Sequence, residues 1–362
     1  MDEKFMAEAI RLARNAQGRT SPNPMVGAVI VKAGRIIAEG WHRKAGTPHA
    51  EIHALNMAGE LAKNSTMYVT LEPCSHYGRT PPCANKIVDA EISRVVVAMQ
   101  DPNPLVAGRG IKILRDAGIT VDVGILEEDA RRLNEIFIKY ITQKIPFVSA
   151  KFASTLDGKI ATVTGESQWI SGEDSRKFTH HLRDIHDAIM VGIGTVLADN
   201  PSLTTRLDNG KNPVRIIVDS HARTPIDAKI LTDKQAPTII AVANSAPAEK
   251  ISALKNLGAE IIFAGNSQVD LKILMQELGR REITSILLEG GGTLNFSMIR
   301  AGLVDKFYAF IAPKILGGKN ALTPVEGAGF EKISDAVELE NLTAEKIGAD
   351  ILISGSCKLR ET

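Results

Sequence analysis

Apolar positions in the first 145 residues alternate between the spacing of a helix and that of a strand. Residues 3–17 carry apolar side chains three and four positions apart, which predicts an amphipathic helix. Apolar runs bounded by turn residues predict strands at 26–31, 36–40, 67–71, 95–99 and 119–123. Further helices are predicted at 50–61, from 81 onward, at 110–117 and at 127–141. This alternation predicts an α/β domain in which helices pack on a sheet.

A second alternation begins after the segment 143–146. It predicts strands at 147–152, 188–191, 214–219, 238–242, 260–263, 286–289, 306–312 and 351–358. Its predicted helices are 174–184, 248–257, 271–278 and 294–301. A chain of 362 residues is longer than most domains that fold around a single hydrophobic core. The sequence therefore predicts one domain over residues 1–145 and a second α/β domain over residues 146–362.

Charge and composition narrow the classes of function. The chain has 43 basic and 42 acidic residues, which gives no support for a nucleic-acid or membrane surface. No apolar run reaches the roughly 18 residues of a membrane helix, and the acidic start is unlike a secretory signal. Three cysteines are too few for a disulfide framework. We expect a cytoplasmic protein, and a homo-oligomer, since symmetric homo-oligomers are common among soluble proteins.

One histidine and two cysteines occur in an order typical of a zinc site. His49 and Glu51 form an H-x-E motif, and Cys74 and Cys83 follow it. These donors suit zinc, and three protein ligands leave a fourth position for a water whose pKa the metal lowers. Glu51 at a predicted helix start can take that water's proton and pass it to a leaving nitrogen. The sequence predicts one catalytic zinc per chain, held by His49, Cys74 and Cys83.

Other interpretations of these residues remain open. The cysteines can be small buried residues, and His49 can be a helix-capping residue. This explanation is the better one for any single residue, but not for all three residues in this order. His49 and His53 are four apart, like two ligands of a zinc protease, but the glutamate of that motif would stand at position 50, which is alanine. A purely structural zinc site needs a fourth protein ligand, which His42, His53 or His76 could supply.

The H-x-E, P-C, C order resembles the cytidine and nucleobase deaminases. Most members separate the cysteines by two residues, whereas eight lie between Cys74 and Cys83. This spacing is similar to the deaminase half of the bifunctional riboflavin biosynthesis enzymes, as are the segments 22–27 (Pro-Asn-Pro-Met-Val-Gly) and 101–104 (Asp-Pro-Asn-Pro). The resemblance covers residues 1 to about 145. It implies a cytidine-deaminase-like three-layer α/β/α domain.

The same resemblance implies a substrate. The family deaminates 2,5-diamino-6-ribosylamino-4(3H)-pyrimidinone 5′-phosphate, replacing its 2-amino group by oxygen. By resemblance, the residues expected to hold the substrate and its phosphate are Asn23, His42, His76 and Arg79. Asn23 can instead be a plain turn residue, and the two histidines can be exposed surface residues.

Weaker motifs follow in the second half. Lys151 lies on an apolar predicted strand, where burial of its charge is costly unless the strand is at an edge. Gly192 and Gly194 follow a strand without a complete G-x-G-x-x-G, so in isolation a tight turn explains them better than a dinucleotide site does. The glycines 290–292 end a strand and open a helix, where backbone N–H groups can approach a phosphate. A glycine-rich helix start without any ligand is the alternative.

Together with the segments 151–161, 167–171 and 191–206, these motifs resemble the reductase half of the same enzymes, which is related in fold to dihydrofolate reductase. The resemblance covers about 145–358 and implies NADPH-dependent reduction of the ribosyl group of 5-amino-6-(5-phosphoribosylamino)uracil to ribityl, with hydride transfer to C1′. NADPH rather than NADH comes from the resemblance alone.

Family contacts of the reductase half map onto matching positions. The nicotinamide-dinucleotide positions are Ala153, Trp169, Thr195, Asp199, Gly291, Gly292, Thr293, Leu294, Asn295, Phe296 and Ser297. The substrate positions are Ser167, Arg183, Leu203, Arg206 and Glu289. Lys151 and Asp199 are the expected catalytic residues near the reacting carbon. Arg183 can instead lie on a solvated helix face, and Asp199 can be a turn residue.

A competing function is that of a salvage or RNA-base deaminase fused to a folate-type reductase. An RNA-editing enzyme should carry a basic face with aromatic residues for base stacking. Aromatic residues make up 4% of the chain and the net charge is +1, which argues against it. A non-catalytic zinc module should show four protein ligands.

Overall fold

The structure is a computed structural model that describes residues 1–75, 82–103 and 106–358. The chain divides into two compact units, the first ending at Lys144 and the second beginning at Ile145. Within the described residues, none of the helices is both long and apolar enough to cross a membrane.

The first unit is a five-stranded sheet with helices. Its strands are β1 (Gly27–Lys32), β2 (Arg35–Trp41), β3 (Thr66–Leu71), β4 (Arg94–Met99) and β5 (Thr120–Val123). Its helices are α1 (Asp2–Ala13), α2 (Ala50–Ala58), α3 (Cys83–Asp89), α4 (Arg109–Asp116), α5 (Glu127–Leu133) and α6 (Glu135–Gln143). The strand order is β2-β1-β3-β4-β5, in which β1 is antiparallel to both neighbours and β3, β4 and β5 are parallel.

Two groups of helices cover this sheet. Helix α1 contacts α5 as well as β1, β3 and β4, whereas α2 contacts α3, and α3 contacts α4. Strands β3 and β4 are buried along nearly their whole length, as expected for a sheet covered on both faces. The resulting layers place the carboxyl end of β3 beside the N-termini of α2 and α3.

Two predicted helices of this unit are shorter than their apolar spacing suggests. The helix predicted over 50–61 ends at Ala58, because Gly59 adopts a φ of +52°. The helix predicted over 127–141 is broken at Asn134. The Asn134 side chain exchanges two hydrogen bonds with the backbone of Met25, at 2.8 and 3.0 Å, and this distant contact is invisible to local periodicity.

The second unit contains a nine-stranded sheet. Its strands are β6 (Phe147–Thr155), β7 (Ala188–Gly192), β8 (Val214–Val218), β9 (Thr238–Val242), β10 (Glu260–Phe263), β11 (Ser285–Leu288), β12 (Lys306–Ala312), β13 (Leu339–Ile347) and β14 (Asp350–Cys357). Its helices are α7 (Glu173–Ile185), α8 (Ile193–Asp199), α9 (Lys229–Thr232), α10 (Ala248–Asn256), α11 (Leu271–Arg280) and α12 (Gly292–Arg300).

The strand order of this sheet is β10-β9-β8-β7-β11-β6-β12-β14-β13. The first seven strands are parallel, and β14 and β13 add an antiparallel edge. Met190 and Ile216 belong to one core cluster, whereas their neighbours Ile189 and Ile217 belong to another. Since successive side chains of a strand point to opposite faces, the sheet is buried on both faces.

The structure corrects three sequence-based expectations for the second unit. Residues 193–199 form helix α8 directly after β7, where the sequence suggested a tight turn. Strand β13 was not predicted, because its side chains are almost all exposed and show no alternation of apolar and polar residues. Strand β6 lies between β11 and β12, which excludes an edge strand as the explanation for Lys151.

Candidate active sites

The three expected zinc ligands come together at the carboxyl end of β3. His49 directly precedes α2, Cys74 follows β3, and Cys83 is the first residue of α3. The His49 Nδ1 atom lies 3.6 Å from the Cys74 Sγ and 3.3 Å from the Cys83 Sγ. Such spacings suit one small cation between three donors, and the donor set is that of zinc. Among the described residues, no fourth His, Cys, Asp or Glu joins this group.

The two thiols differ in acidity. The pKa of Cys74 is lowered to about 4, first because the Cys83 thiol donates a hydrogen bond to its sulfur and then because His49 does. The Cys83 backbone amide also donates to that sulfur, at 3.2 Å. The pKa of Cys83 is raised, first by its hydrogen bond to Cys74 and then by burial. Cys74 is therefore the more acidic of the two thiols, and a bound cation would favour the thiolate form of both.

Glu51 lies in the first turn of α2 and is fully enclosed, with 3% of its surface exposed. Burial raises the pKa of the Glu51 carboxyl, and the positive charge of His49 acts in the opposite direction and lowers it. Its Oε2 atom is buried and has no hydrogen-bond partner among the described residues. A buried, unsatisfied carboxyl oxygen is costly, and such groups are common where a proton must be transferred.

Two of the expected substrate residues lie beside this centre. His42 is buried, not an exposed surface residue, and its ring packs edge-on against that of His49. Its Nδ1 lies 3.2 Å from the Pro48 carbonyl oxygen, and its Nε2 lies 3.3 Å from the Asn23 amide nitrogen. If Nδ1 donates to that carbonyl, Nε2 accepts from Asn23 and leaves the Asn23 oxygen available. His76 and Arg79 lie outside the described residues.

A cavity of about 860 Å³ lies at the carboxyl ends of the second unit's parallel strands, the usual ligand position in such sheets. Expected cofactor and substrate residues contribute to its lining. Those are Ala153, Ser167, Trp169, Arg183, Thr195, Asp199, Leu203, Arg206, Glu289 and Gly291, together with Lys151. Both expected catalytic residues thus face one cavity.

A buried group of charges forms one wall of this cavity. The Arg183 Nε and NH2 atoms donate to the two oxygens of Glu289, at 2.7 and 3.0 Å, and NH1 donates to the Thr204 carbonyl oxygen. The Lys151 Nζ atom lies 3.9 Å from Glu289. Arg183 is therefore not on a solvated helix face. The Arg183 guanidinium already donates hydrogen bonds to Glu289 and Thr204. In contrast, Arg206 has no hydrogen bond or ion pair among the described residues.

Three carboxyl and amino groups that line this cavity have shifted pKa values. Burial opposes ionisation of Glu289, but the charges of Arg183 and Lys151 hold its pKa at about 2. Burial lowers the pKa of Lys151, and the negative charge of Glu289 acts in the opposite direction and raises it. Burial also raises the pKa of Asp199, which is the last residue of α8. Lys151 and Asp199 thus both move toward the range in which protons are exchanged.

The glycine segment meets the cavity only at its start. Gly290 and Gly291 line it, and Gly291 directly precedes α12. The side chains of Leu294, Asn295 and Phe296 point into the protein, where the Asn295 amide donates to the Pro324 carbonyl oxygen at 2.8 Å. Of the cofactor positions 291–297, those residues have a packing role that the sequence motif does not reveal.

Sequence reasoning missed two residues of these sites. His180 on α7 lines the cavity and has a buried Nδ1 without a partner among the described residues. Glu72, one position before the P-C motif, is buried and binds four backbone amides. A glutamate next to a ligand motif is a signal that could have been noticed, whereas a histidine on a helix of mixed polarity offers none.

Comparison with known proteins finds a matching family model for each half of the chain. Residues 1–99 match the model of the cytidine and deoxycytidylate deaminase zinc-binding region, and residues 146–353 match that of the RibD C-terminal domain. Riboflavin biosynthesis protein RibD of Actinobacillus pleuropneumoniae is 48% identical over 97% of this chain and 94% of its own. RibD of Aquifex aeolicus is 45% identical over 98% of both chains. The chain belongs to the RibD family.

Solved structures support the same conclusion. Acinetobacter baumannii RibD is 40% identical, with a TM-score of 0.89 over 99% of both chains. A Thermotoga maritima structure, named as a diaminohydroxyphosphoribosylaminopyrimidine deaminase/5-amino-6-(5-phosphoribosylamino)uracil reductase, is 37% identical with a TM-score of 0.87. The chain is a bifunctional deaminase and reductase of riboflavin biosynthesis. It combines a cytidine-deaminase-like zinc-binding domain with a dihydrofolate-reductase-like domain related to NADPH-dependent reductases. These full-length matches exclude the salvage or RNA-base deaminase.

Proposed function

We propose that residues 1–145 deaminate 2,5-diamino-6-ribosylamino-4(3H)-pyrimidinone 5′-phosphate and that residues 146–362 reduce the product, 5-amino-6-(5-phosphoribosylamino)uracil. The observation that carries the first assignment is the buried, unpartnered Glu51 oxygen beside the three donors. The similar Thermotoga maritima protein bears the names of both activities. The reducing cytoplasm would keep the ligand thiols free, and we expect a homo-oligomer there.

In the deaminase site, His49, Cys74 and Cys83 would hold zinc, which when bound lowers the pKa of a water toward neutrality. Glu51 accepts a proton from the water that attacks C2 of the pyrimidine. It then delivers a proton to the 2-amino nitrogen, so that ammonia departs and oxygen remains on C2. Enclosure of Glu51 favours both transfers, because its raised pKa makes it a better base and a ready acid. Asn23 and His42, with His76 and Arg79, hold the substrate.

In the reductase cavity, Ala153, Trp169 and Thr195 would help to hold NADPH, which when bound would supply a hydride to C1′ of the ribosyl group. The C1′–O4′ bond opens, and O4′ must take up a proton. Lys151 is the proton donor in this proposal, because its ammonium faces the cavity while both oxygens of Glu289 are engaged by Arg183. Arg206, unpaired among the described residues, is suited to the substrate's phosphate. Asp199 lies at the cofactor side, with Trp169, Thr195 and Gly291.

The test is to incubate zinc-loaded protein with the diaminopyrimidinone phosphate, with and without NADPH, and to follow products by mass. Without NADPH, the deaminated ribosyl compound should accumulate with one ammonia released per molecule. With NADPH, the ribityl compound should replace it. An unchanged substrate in both reactions would defeat the proposal, and reduction without deamination would assign a different substrate to the first domain.

A further inference from the structure

Glu72 joins the zinc-ligand segment to the start of α4. Its side chain is buried, and its Oε1 accepts hydrogen bonds from the backbone amides of Gly110 and Ile111, at 2.8 and 3.3 Å. Its Oε2 accepts from the amides of Asp101 and Gly108, at 3.2 and 2.9 Å. One carboxylate therefore binds the first turn of α4 and the backbone of Asp101 and Gly108, which precede that helix.

The backbone after Glu72 is held against the same helix. The Gly110 Cα lies so close to the Pro73 carbonyl oxygen that a Cβ at this position would collide with it. The next residue, Cys74, accepts a hydrogen bond from the Ala84 amide of α3 at its carbonyl oxygen. Movement of α4 would therefore be transmitted to Cys74 through a single intervening proline.

The chemistry of these contacts requires a carboxylate. All four partners are N–H donors, and a carboxylate offers acceptors at both oxygens. A glutamine would direct its NH₂ group at one of the two donor pairs, so that pair would lose its acceptor. The negative charge also suits the positive end of a helix, where charge-assisted hydrogen bonds are roughly twice as strong as neutral ones.

We propose that Glu72 is a positioning residue of the deaminase: it fixes Cys74, the start of α4 and Asp101 as one unit and so sets the geometry of the zinc site. The inference rests on the proposed ligand set. Groups that orient metal ligands typically contribute 10–100-fold to metal affinity. Glu72 exerts this effect through the backbone of its own segment and touches no reacting atom.

The experiment compares wild type, Glu72→Gln and Tyr68→Phe as full-length chains. Tyr68→Phe removes the 2.6 Å hydrogen bond from the Tyr68 hydroxyl to Asp2, which destabilises the same sheet away from the ligands. Zinc affinity is measured by competition with a chelating dye, and site geometry by the thiolate-to-metal absorption of the cobalt(II)-loaded protein. We expect Glu72→Gln to weaken zinc binding by about 10–100-fold and to alter the cobalt absorption. Tyr68→Phe should change neither, and the reductase activity of both variants should persist.

Unchanged zinc affinity and cobalt absorption in Glu72→Gln would overturn the proposal, even if that variant melts earlier. A wild type without thiolate-to-cobalt absorption would instead overturn the ligand set itself. A second measurement covers the case in which the variant does not fold. Since coupling is reciprocal, removal of zinc from the wild type should speed hydrogen exchange at the Gly110 and Ile111 amides. Unchanged exchange there would also overturn the proposal.

Discussion

At the residue scale, the carboxyl of Glu51 differs from the surface carboxyls in being buried and in having one oxygen, Oε2, without a hydrogen-bond partner among the described residues. Glu51→Gln keeps its size and polarity but removes the group that accepts and returns protons. We expect deamination to fall by about 10²–10⁴-fold, the range of general acid–base catalysis. Zinc content and reduction of the deaminated compound should stay near wild type. The assay is ammonia release, with the exposed Glu60→Gln as control. Retention of more than a tenth of the deamination rate would contradict the proposed role.

Lys151 gives the reductase a predicted pH dependence. Its pKa lies below the ordinary lysine value of 10.5 because of burial, so its proton is lost earlier as pH rises. If the protonated amine donates to O4′, kcat/KM should fall on the alkaline side with an apparent pKa below 10.5. Lys151→Arg should move this alkaline decline to higher pH, because a guanidinium keeps its proton. A decline at the same pH in both proteins would assign it to another group.

Individual metal ligands could be predicted because they occur in the short sequence motifs H-x-E and P-C. The partners that shape the second site were not. Arg183 and Glu289 are 106 positions apart and meet only because the fold brings Arg183 of α7 beside the residue that follows β11. The family resemblance placed Arg183 among the substrate positions, whereas the structure pairs its guanidinium with the Glu289 carboxylate of the same chain. Burial of both groups, and hence their pKa shifts, depends on that packing.

At the element scale, the start of α12 is the feature to test. Gly291 has an ordinary φ of −69°, and among the described residues a Cβ there would meet only the Thr195 hydroxyl, at 3.6 Å. Gly291→Ala should therefore fold normally. The larger Gly291→Val should block approach of a cofactor phosphate to the backbone. Loss of one hydrogen bond to a charged group costs about 1.5–3 kcal/mol, so the NADPH Kd should rise about 10–100-fold.

Fluorescence titration of NADPH into the glycine variants measures this effect. Gly291→Ala should lie between wild type and Gly291→Val, because a methyl group fills part of the same space. A well-folded Gly291→Val with wild-type NADPH affinity would move the phosphate site elsewhere.

Most elements were predictable from periodicity because their apolar stripes face one core. Exceptions have physical causes. Helix α8 is only seven residues long, with Gly192 directly before it and Gly194 as its second residue, so its pattern resembled a turn. Strand β13 has no buried face, so it carries no alternation. The break at Asn134 depends on Met25, more than a hundred positions away.

At the scale of the whole molecule, the two activities should be separable by substitution. Asp199→Ala should impair reduction and spare ammonia release, the reverse of Glu51→Gln. An equal mixture of the two full-length variants should then convert the diaminopyrimidinone phosphate to the ribityl product, because each supplies what the other lacks. Mass analysis of the mixture checks this. Absence of ribityl product, with both variants folded and singly active, would show that the intermediate is not released.

Strand order was the part of the fold that sequence could not provide. The two-domain α/β organisation follows from length and alternation, but nothing local tells that β6 pairs with β11 and β12. Parallel neighbours are selected by contacts between distant segments, and their register is set by the packing of side chains on both faces.

The central place of β6 has a consequence during synthesis on the ribosome. This strand is the first of its sheet to be made, yet both of its neighbours, β11 and β12, come more than 120 residues later. At about 5–20 residues per second, the nascent chain holds an apolar strand without partners for on the order of ten seconds. The five strands of the first sheet are complete by Val123, so that domain can fold meanwhile. Dependence on chaperones should therefore concentrate in the reductase half.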